Sequence, residues 1–552
     1  MSGRPPGAHL HTRAACLTAL LAAAALGGCA PSGSGGAPGP GAAGHGAQLL
    51  VRGGGPDPDS LDPQRVRGFE AQGIVRDLCE GLTTLDHHAA VAPGVASRWS
   101  VSADGQVYTF TLRSDARWSN GERVVAADFV AGLRRLVDPA TGSAYAGYVD
   151  VIANANDIVA GRKPPESLGV GAPDDSTVVI TLASPAPYLP ALLSHPSTCP
   201  VHRPTLRDHP RDYAHPGVMV SDGAFRLAEW VQGSYVLLRR NPWYWNNAAT
   251  RLDAVRYLII PDENAELTRY RGGELEVTAV VPRGQFDWIK AHLAGELHVS
   301  PQLTTYYYGF NLRRPPFRDE PRLRRALSLV IDREKLAQLV LRVGELPAYG
   351  WVPPGVDHYT SQSFDYRDEP LPERIAEAQR LYREAGYSHA HPLAFELRYN
   401  SGEVHTKLAL AVASMWKEAL GADVRLTQVE FKTLLADIDR GDVEMFRSSW
   451  VGDYNDAYTF AQYLKSDFGV NLPHYRSAAY DALLARAADA TEPAQRRALL
   501  EEAERLMLRD TPLIPLYFYV NKHLVKPEVQ GWYDNVMNVV YSKDLSVRSP
   551  TR

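Results

Sequence analysis

Trp450-Val-Gly-Asp-Tyr-Asn455 is a short aromatic segment broken by a Gly-Asp step. Glycine followed by aspartate fits a tight turn, with the Asp453 carboxylate capping backbone N–H groups. Taken alone, the segment says no more than that, and its weight comes from what surrounds it. Upstream, Leu408, Ala411, Val412, Met415 and Leu420 share one helical face that stops at Gly421. Ile375, Ala378, Tyr382 and Ala385 do the same before Gly386, and Leu323, Leu327, Val330 and Ile331 form another stripe. Asp332 is expected to start a further helix with Leu336, Leu339 and Val340 inward. Phe129, Leu133, Leu136 and Val137 form a stripe with Asp128 just ahead of it. Residues 107–112 alternate with period two before the turn Ser119-Asn-Gly121, and residues 513–520 read as a buried strand.

These patterns mix without a fixed repeat, and 552 residues exceed what one core holds. Two or three α/β lobes are expected, with a ligand site between lobes. Composition is that of an ordinary globular protein, 45% hydrophobic and 22% charged. A net charge of −5 argues against nucleic acid, which needs a basic surface excess. Of the 27 Tyr and 10 Trp, clusters such as Trp243-Tyr-Trp245, Tyr306-Tyr-Tyr308 and Tyr517-Phe-Tyr519 mostly read as packing, though such rings also suit a tolerant pocket.

Arg4 and Arg13 precede an apolar run over 14–26 that is too short to span a bilayer. This reads as a secretory signal. It ends in Leu26-Gly-Gly-Cys29, which resembles the bacterial lipoprotein signal. That resemblance implies a signal peptide over 1–28 and lipidation of Cys29, where an ordinary cleaved signal is the plainer alternative. Several acyl chains would anchor the protein stably. Residues 29–47 are rich in Gly, Pro, Ser and Ala and read as a flexible tether. Cys79 and Cys199 could pair in an oxidising compartment, but sequence does not show their distance, so the pairing stays open.

No nucleophile elbow, H-E-x-x-H helix, phosphate-binding loop or G-x-G-x-x-G after a strand occurs. His87-His88 reads as exposed rather than metal-bound. The expectation is a protein that is not an enzyme and carries no cofactor or metal.

Several stretches occur in an order that resembles the extracytoplasmic oligopeptide-binding proteins of ABC importers, the peptide/nickel-type solute-binding family 5. They include Ser60-Leu-Asp-Pro63, Arg76-Asp-Leu-Cys-Glu-Gly-Leu82, Tyr108-Thr-Phe-Thr-Leu-Arg113, Asn241-Pro-Trp-Tyr-Trp245, Tyr306-Tyr-Tyr-Gly-Phe-Asn311 and the opening segment. The resemblance runs from about Gln48 to Leu545. It implies an α/β, three-lobed, periplasmic-binding-protein-like clamp of type II, cluster C. Lobe I would take 48–79, 205–303 and 520–552, lobe II 80–204 and lobe III 304–519.

The same resemblance implies a site. Asp453 would hold the amino end of a peptide, and Arg447 and His405 its carboxylate. Ser449, Trp450 and Val451 would pair with the peptide backbone, as an added strand. The opposite wall would come from Arg67 to Phe69, where relatives carry an acid in place of Arg67. Tyr145 would lie near the amino end, and a commonly basic position is here Ile438, with Arg440 nearby. Each has a plainer reading: Arg67 as a solvated surface group, Arg447 in a structural ion pair, His405 at a helix start and Tyr145 in packing. The implied partners are short peptides, a permease and ATPase complex, and a membrane through Cys29, with the protein a monomer. A narrow ligand (murein peptide, glutathione or a nickel complex), a peptidase or a sensor receptor are the alternatives.

Overall fold

The computed structural model describes residues 48–490 and 492–548. The signal over 1–28, Cys29 and the tether over 29–47 lie outside the described residues. No helix among the described residues is long and apolar enough to cross a membrane.

Three larger sheets organise the chain. In the first, Leu49–Gly53 pairs in parallel with Ala254–Leu258, followed by Tyr235–Arg240 and Phe225–Val231. The second is antiparallel, in the order Ala96–Val101, Val107–Leu112, Thr177–Thr181, Val170–Asp174. The third has six strands, in the order Leu346–Pro347, Leu513–Leu524, Leu297–Phe310, Met445–Val451, Ala394–Asn400, Asp423–Val429.

The strands Leu297–Phe310 and Leu513–Leu524 run antiparallel from Leu297 beside Leu524 to Gly309 beside Leu513. Their register shifts between Pro301 and Thr305. The expected limits between lobes I and III, 303/304 and 519/520, fall inside these two strands. One ribbon therefore runs through both junctions.

Local chemistry explains the third sheet. Tyr306, Tyr307 and Tyr308 are all fully buried, so both sheet faces are covered. Tyr307 packs on Trp351 and Tyr463, while Tyr308 faces Trp416 on the helix Glu403–Leu420. At Gly309 a Cβ would fall 2.4 Å from the Phe446 ring, which packs over this position and leaves room only for glycine. The Asn311 side chain donates to the carbonyls of Gly441 (3.1 Å) and Val443 (2.8 Å) and ties down the strand end. Gly421 ends the helix Glu403–Leu420 at φ 74°, in the left-handed region that favours glycine.

Two sequence expectations need correcting. Asp128 does not precede its helix: it sits inside the first turn of Ala126–Val137 and accepts the Val125 N–H at 3.1 Å. Leu339 does not point inward, being 64% exposed. The segment Leu336–Leu341 is wound as a π-helix, whose wider turn rotates Leu339 off the stripe expected of an α-helix.

Cys79 and Cys199 form a disulfide, closing the pairing that sequence left open. It ties the end of the helix Phe69–Leu78 to the segment ahead of Arg203–Asp208, across 120 residues of chain. A cross-link over a loop of that length contributes about 3–5 kcal/mol through lost freedom of the unfolded chain. We expect the Cys79→Ser, Cys199→Ser variant to lose stability of that order in denaturant unfolding, with reductant shifting the midpoint of the wild type and leaving the variant unchanged.

Candidate functional site: an open strand edge between unpaired charges

The strand Met445–Val451 is paired along its whole length on one side, from Thr304 beside Val451 to Phe310 beside Met445. On the other side Ala394–Asn400 reaches it only at Met445 and Phe446. Beyond Phe446 that edge has no strand neighbour among the described residues. The Gly452 N–H donates to the Leu303 carbonyl at 2.8 Å. Main-chain groups alternate sides along a strand, so those of Ser448 and Trp450 also point inward. Those of Arg447, Ser449 and Val451 point out of the open edge. An extended peptide lying there would complete the ladder.

The residues of the opening segment divide sharply. Trp450 donates its indole N–H to the Thr459 carbonyl at 2.8 Å. Gly452 stands where a Cβ would meet Leu303 at 2.5 Å. Tyr454 stacks on Tyr188, ring centroids 4.8 Å apart. Asn455 donates to the Ala89 carbonyl at 2.8 Å and accepts the Asp357 N–H at 3.1 Å. The Asp453 main chain is also held: its N–H donates to Thr459 Oγ1 at 3.1 Å, and its carbonyl accepts the Tyr148 hydroxyl at 2.9 Å. Its carboxylate caps nothing, and no cation lies within 4 Å of it among the described residues. The turn-capping role falls instead to Asp456, which accepts the Tyr458 N–H at 2.8 Å and pairs with Arg496. Asp453 is exposed. Desolvation and then the neighbouring Asp150 charge push its pKa up to about 6.

Arg447 is the opposite case, a buried cation. One guanidinium nitrogen donates to Asn400 Oδ1 at 3.0 Å and another to the Tyr519 hydroxyl at 3.4 Å, while Nε has no partner. The group lies 4.6 Å from the Tyr306 ring centroid. Among the described residues no carboxylate lies within 4 Å, so the structural ion pair considered from sequence does not form. His405 lies beside it, its Nδ1 3.3 Å from the Tyr306 hydroxyl. Burial first, then the Arg447 charge, push its pKa down to about 4. The ring is neutral at physiological pH and offers a hydrogen bond rather than a charge.

The other expected residues lie on other elements of the chain. Phe69 opens the helix Phe69–Leu78 and is 49% exposed. Arg67 is exposed, its main-chain N–H donating to Asp59 Oδ1 at 3.2 Å. The Tyr145 hydroxyl accepts from the Gln72 amide, and its ring packs against His195. Ile438 is buried in the core, and Arg440 is held by Asp437 and Asp442, so neither presents a charge to the cleft. Two charged groups given no role from sequence join the site's surroundings. Asp150 has no cation within 4 Å among the described residues and feels desolvation of its own. Arg76 stood in a quoted motif without an assigned part.

The fold and the open edge define a class, the solute-binding clamp. The sequence pattern of the bacterial extracellular solute-binding proteins, family 5, matches residues 90–471, and the chain belongs to that family. It is 41% identical to the periplasmic oligopeptide-binding protein OppA of Escherichia coli (strain K12), over 88% of this chain and 90% of that one. It superposes on the MppA periplasmic murein tripeptide binding protein in its unliganded open form with a TM-score of 0.86, at 36% identity, covering 91% of this chain and 97% of that one. On Haemophilus influenzae OppA complexed with RPPGFSPFR the TM-score is 0.69, at 36% identity, covering 91% and 99%. At equal identity the fit to the open form is the better one, so the cleft stands open here.

Removing one partner of a buried ion pair costs about 3–5 kcal/mol, whereas removing an unpaired buried charge relieves a desolvation cost. Arg447→Met is therefore expected to leave the ligand-free protein equally or more stable, by up to about 2 kcal/mol. Chemical denaturation checks this, and a loss of several kcal/mol would show Arg447 to be structural.

Proposed function

We propose that this protein captures short peptides in its cleft, as an added strand with both ends neutralised, and delivers them to an ABC-type import permease. The observation that carries the reading is an outward-facing strand edge over 447–451 flanked by an unpaired anion and an unpaired buried cation. Asp453 takes the ligand's ammonium. Arg447, assisted by neutral His405, takes its carboxylate. Ser449 and Val451 offer main-chain groups, Trp450 supports them, and Arg67, Phe69 and Tyr145 line the facing wall. Asp453 lies six positions after Arg447, which limits the span to about 20 Å, an extended peptide of up to about six residues. Relatives named for oligopeptide binding support the reading.

The proposal extends to the setting. The chain acts outside the cytoplasmic membrane, exported by the signal over 1–28 and anchored through a lipid on Cys29, with 29–47 as tether. It works as a monomer and catalyses nothing. Its lobes follow the limits read from the sequence: 48–79, 205–303 and 520–552 for lobe I, 80–204 for lobe II, 304–519 for lobe III. A second reading, the same clamp tuned to one ligand such as a murein peptide, draws support from the exposed Arg67 and the buried Ile438, which alter the charges offered to a ligand. A relative named for murein tripeptide binding fits the same reading.

A charge-assisted hydrogen bond is worth about 1.5–3 kcal/mol, so Asp453→Asn should weaken free-amine peptides roughly 10- to 150-fold and N-acetylated peptides far less. Calorimetric titration checks this, and equal loss for both would remove Asp453 from the site. Protonation below about pH 6 neutralises Asp453. Affinity for free-amine peptides should therefore fall from pH 7.5 to pH 5 in the wild type and stay flat in Asp453→Asn. Native mass spectrometry of the purified protein separates the two readings: a ladder of peptide masses supports the broad binder and a single mass the tuned one.

A further inference from the structure

A recess of about 380 Å³ opens beside Phe69, between the helix Phe69–Leu78 and the strand Leu513–Leu524. Arg52, Arg76, Lys522 and His523 lie on its walls, with Glu70 and Glu263. Most of these groups are already occupied. Arg52 donates to the Val540 carbonyl (3.3 Å) and to Ser542 Oγ (2.9 Å). Both His523 nitrogens are engaged, with the Thr278 carbonyl (3.0 Å) and Asn538 Oδ1 (2.7 Å). Arg283, also on the wall, is paired with Glu345 at 2.8 Å.

Arg76 and Lys522 differ. Among the described residues neither side chain donates a hydrogen bond, and neither has a carboxylate within 4 Å. Glu345 and Glu263 act on Lys522 only from beyond 4 Å, and neither they nor Glu70 forms an ion pair with either cation. Both cations are partly stripped of water, and burial lowers the pKa of each. A desolvated cation without a partner is costly, and an entering anion offsets that cost. Their place also matters. Gln72, one helical turn before Arg76, donates to the Tyr145 hydroxyl. Tyr145 packs edge-on against Tyr148, which holds the Asp453 carbonyl. Through Gln72, Tyr145 and Tyr148 the helix that walls the recess connects to the proposed amino end of the ligand.

We infer that this recess is an anion subsite, in which Arg76 and Lys522 receive the carboxylate of an acidic peptide side chain, so that the protein selects acidic short peptides over their neutral isosteres. The inference rests on the peptide cleft proposed above. It adds a third charged group to the two ends of the ligand, held by lobe I and the ribbon strand rather than by Met445–Val451.

The test is calorimetric titration of the full chain with pairs of short peptides differing only by Glu against Gln at each position in turn. At one position the Glu peptide should bind about tenfold or more tightly, as a charge-assisted bond implies. That ratio should fall toward one in Lys522→Gln and in Arg76→Gln, and a merely structural role would not move it. Thermal melts confirm that each variant is folded. Equal affinity of Glu and Gln peptides at every position in the wild type would overturn the inference, as would a ratio that survives in both variants. Inorganic phosphate binding at the recess as tightly as the acidic peptide would overturn the assignment to a side chain. If neither member of any pair binds, the peptide cleft itself fails, a result distinct from equal binding.

Discussion

A β-strand with one edge uncovered carries main-chain donors and acceptors that water alone satisfies, and folded proteins normally pair, cover or bend such edges. Here the edge over 447–451 is left straight and open, and much of the third sheet serves to hold it so. The strand Leu297–Phe310 grips it from the other side along its full length. Helices and tyrosines cover both faces of that support, so three consecutive tyrosines are buried. On the proposed function, a ligand that supplies a backbone is recognised at the open edge by what all peptides share, and the side chains it carries are left to the surrounding surfaces.

The distribution of charge follows the same division. Where the fold needs an ion pair it makes one, as between Asp456 and Arg496 or among Asp437, Arg398 and Arg440. Where the cleft opens, the charges stay single: Asp453, Asp150, Arg447, Arg76 and Lys522. An unpaired charge out of water is tolerated only where something offsets it, and on the proposed function that something is the bound ligand. In this open state the protein resembles half of an interface.

Much of the architecture was legible in the sequence because periodicity reports burial. The stripes ending at Gly386 and Gly421, the strand Val107–Leu112 and the buried strand near the C-terminus all follow from spacing two or spacing three-to-four. Leu339 failed for a definite reason: a π-turn changes the period on which the reading relied. The site was less accessible. Asp453 in isolation reads as a turn residue, and only the resemblance of the ordered motifs pointed to a ligand role. Asp150 and Lys522 carry no local signature at all, since lacking a partner is a property of the folded surroundings. The Cys79–Cys199 bond was open for the same reason: distance is not written in spacing.

That bond also divides the life of the chain in two. Thiols stay reduced in the cytoplasm, while an oxidising compartment lets them join. A chain still on the cytoplasmic side therefore lacks the tie between the end of the helix Phe69–Leu78 and the segment before Arg203, and is easier to keep unfolded for passage through a membrane. Once across, oxidation makes the gain in stability hard to reverse. On the proposed export, the cross-link acts as a ratchet, adding stability only after the chain has crossed.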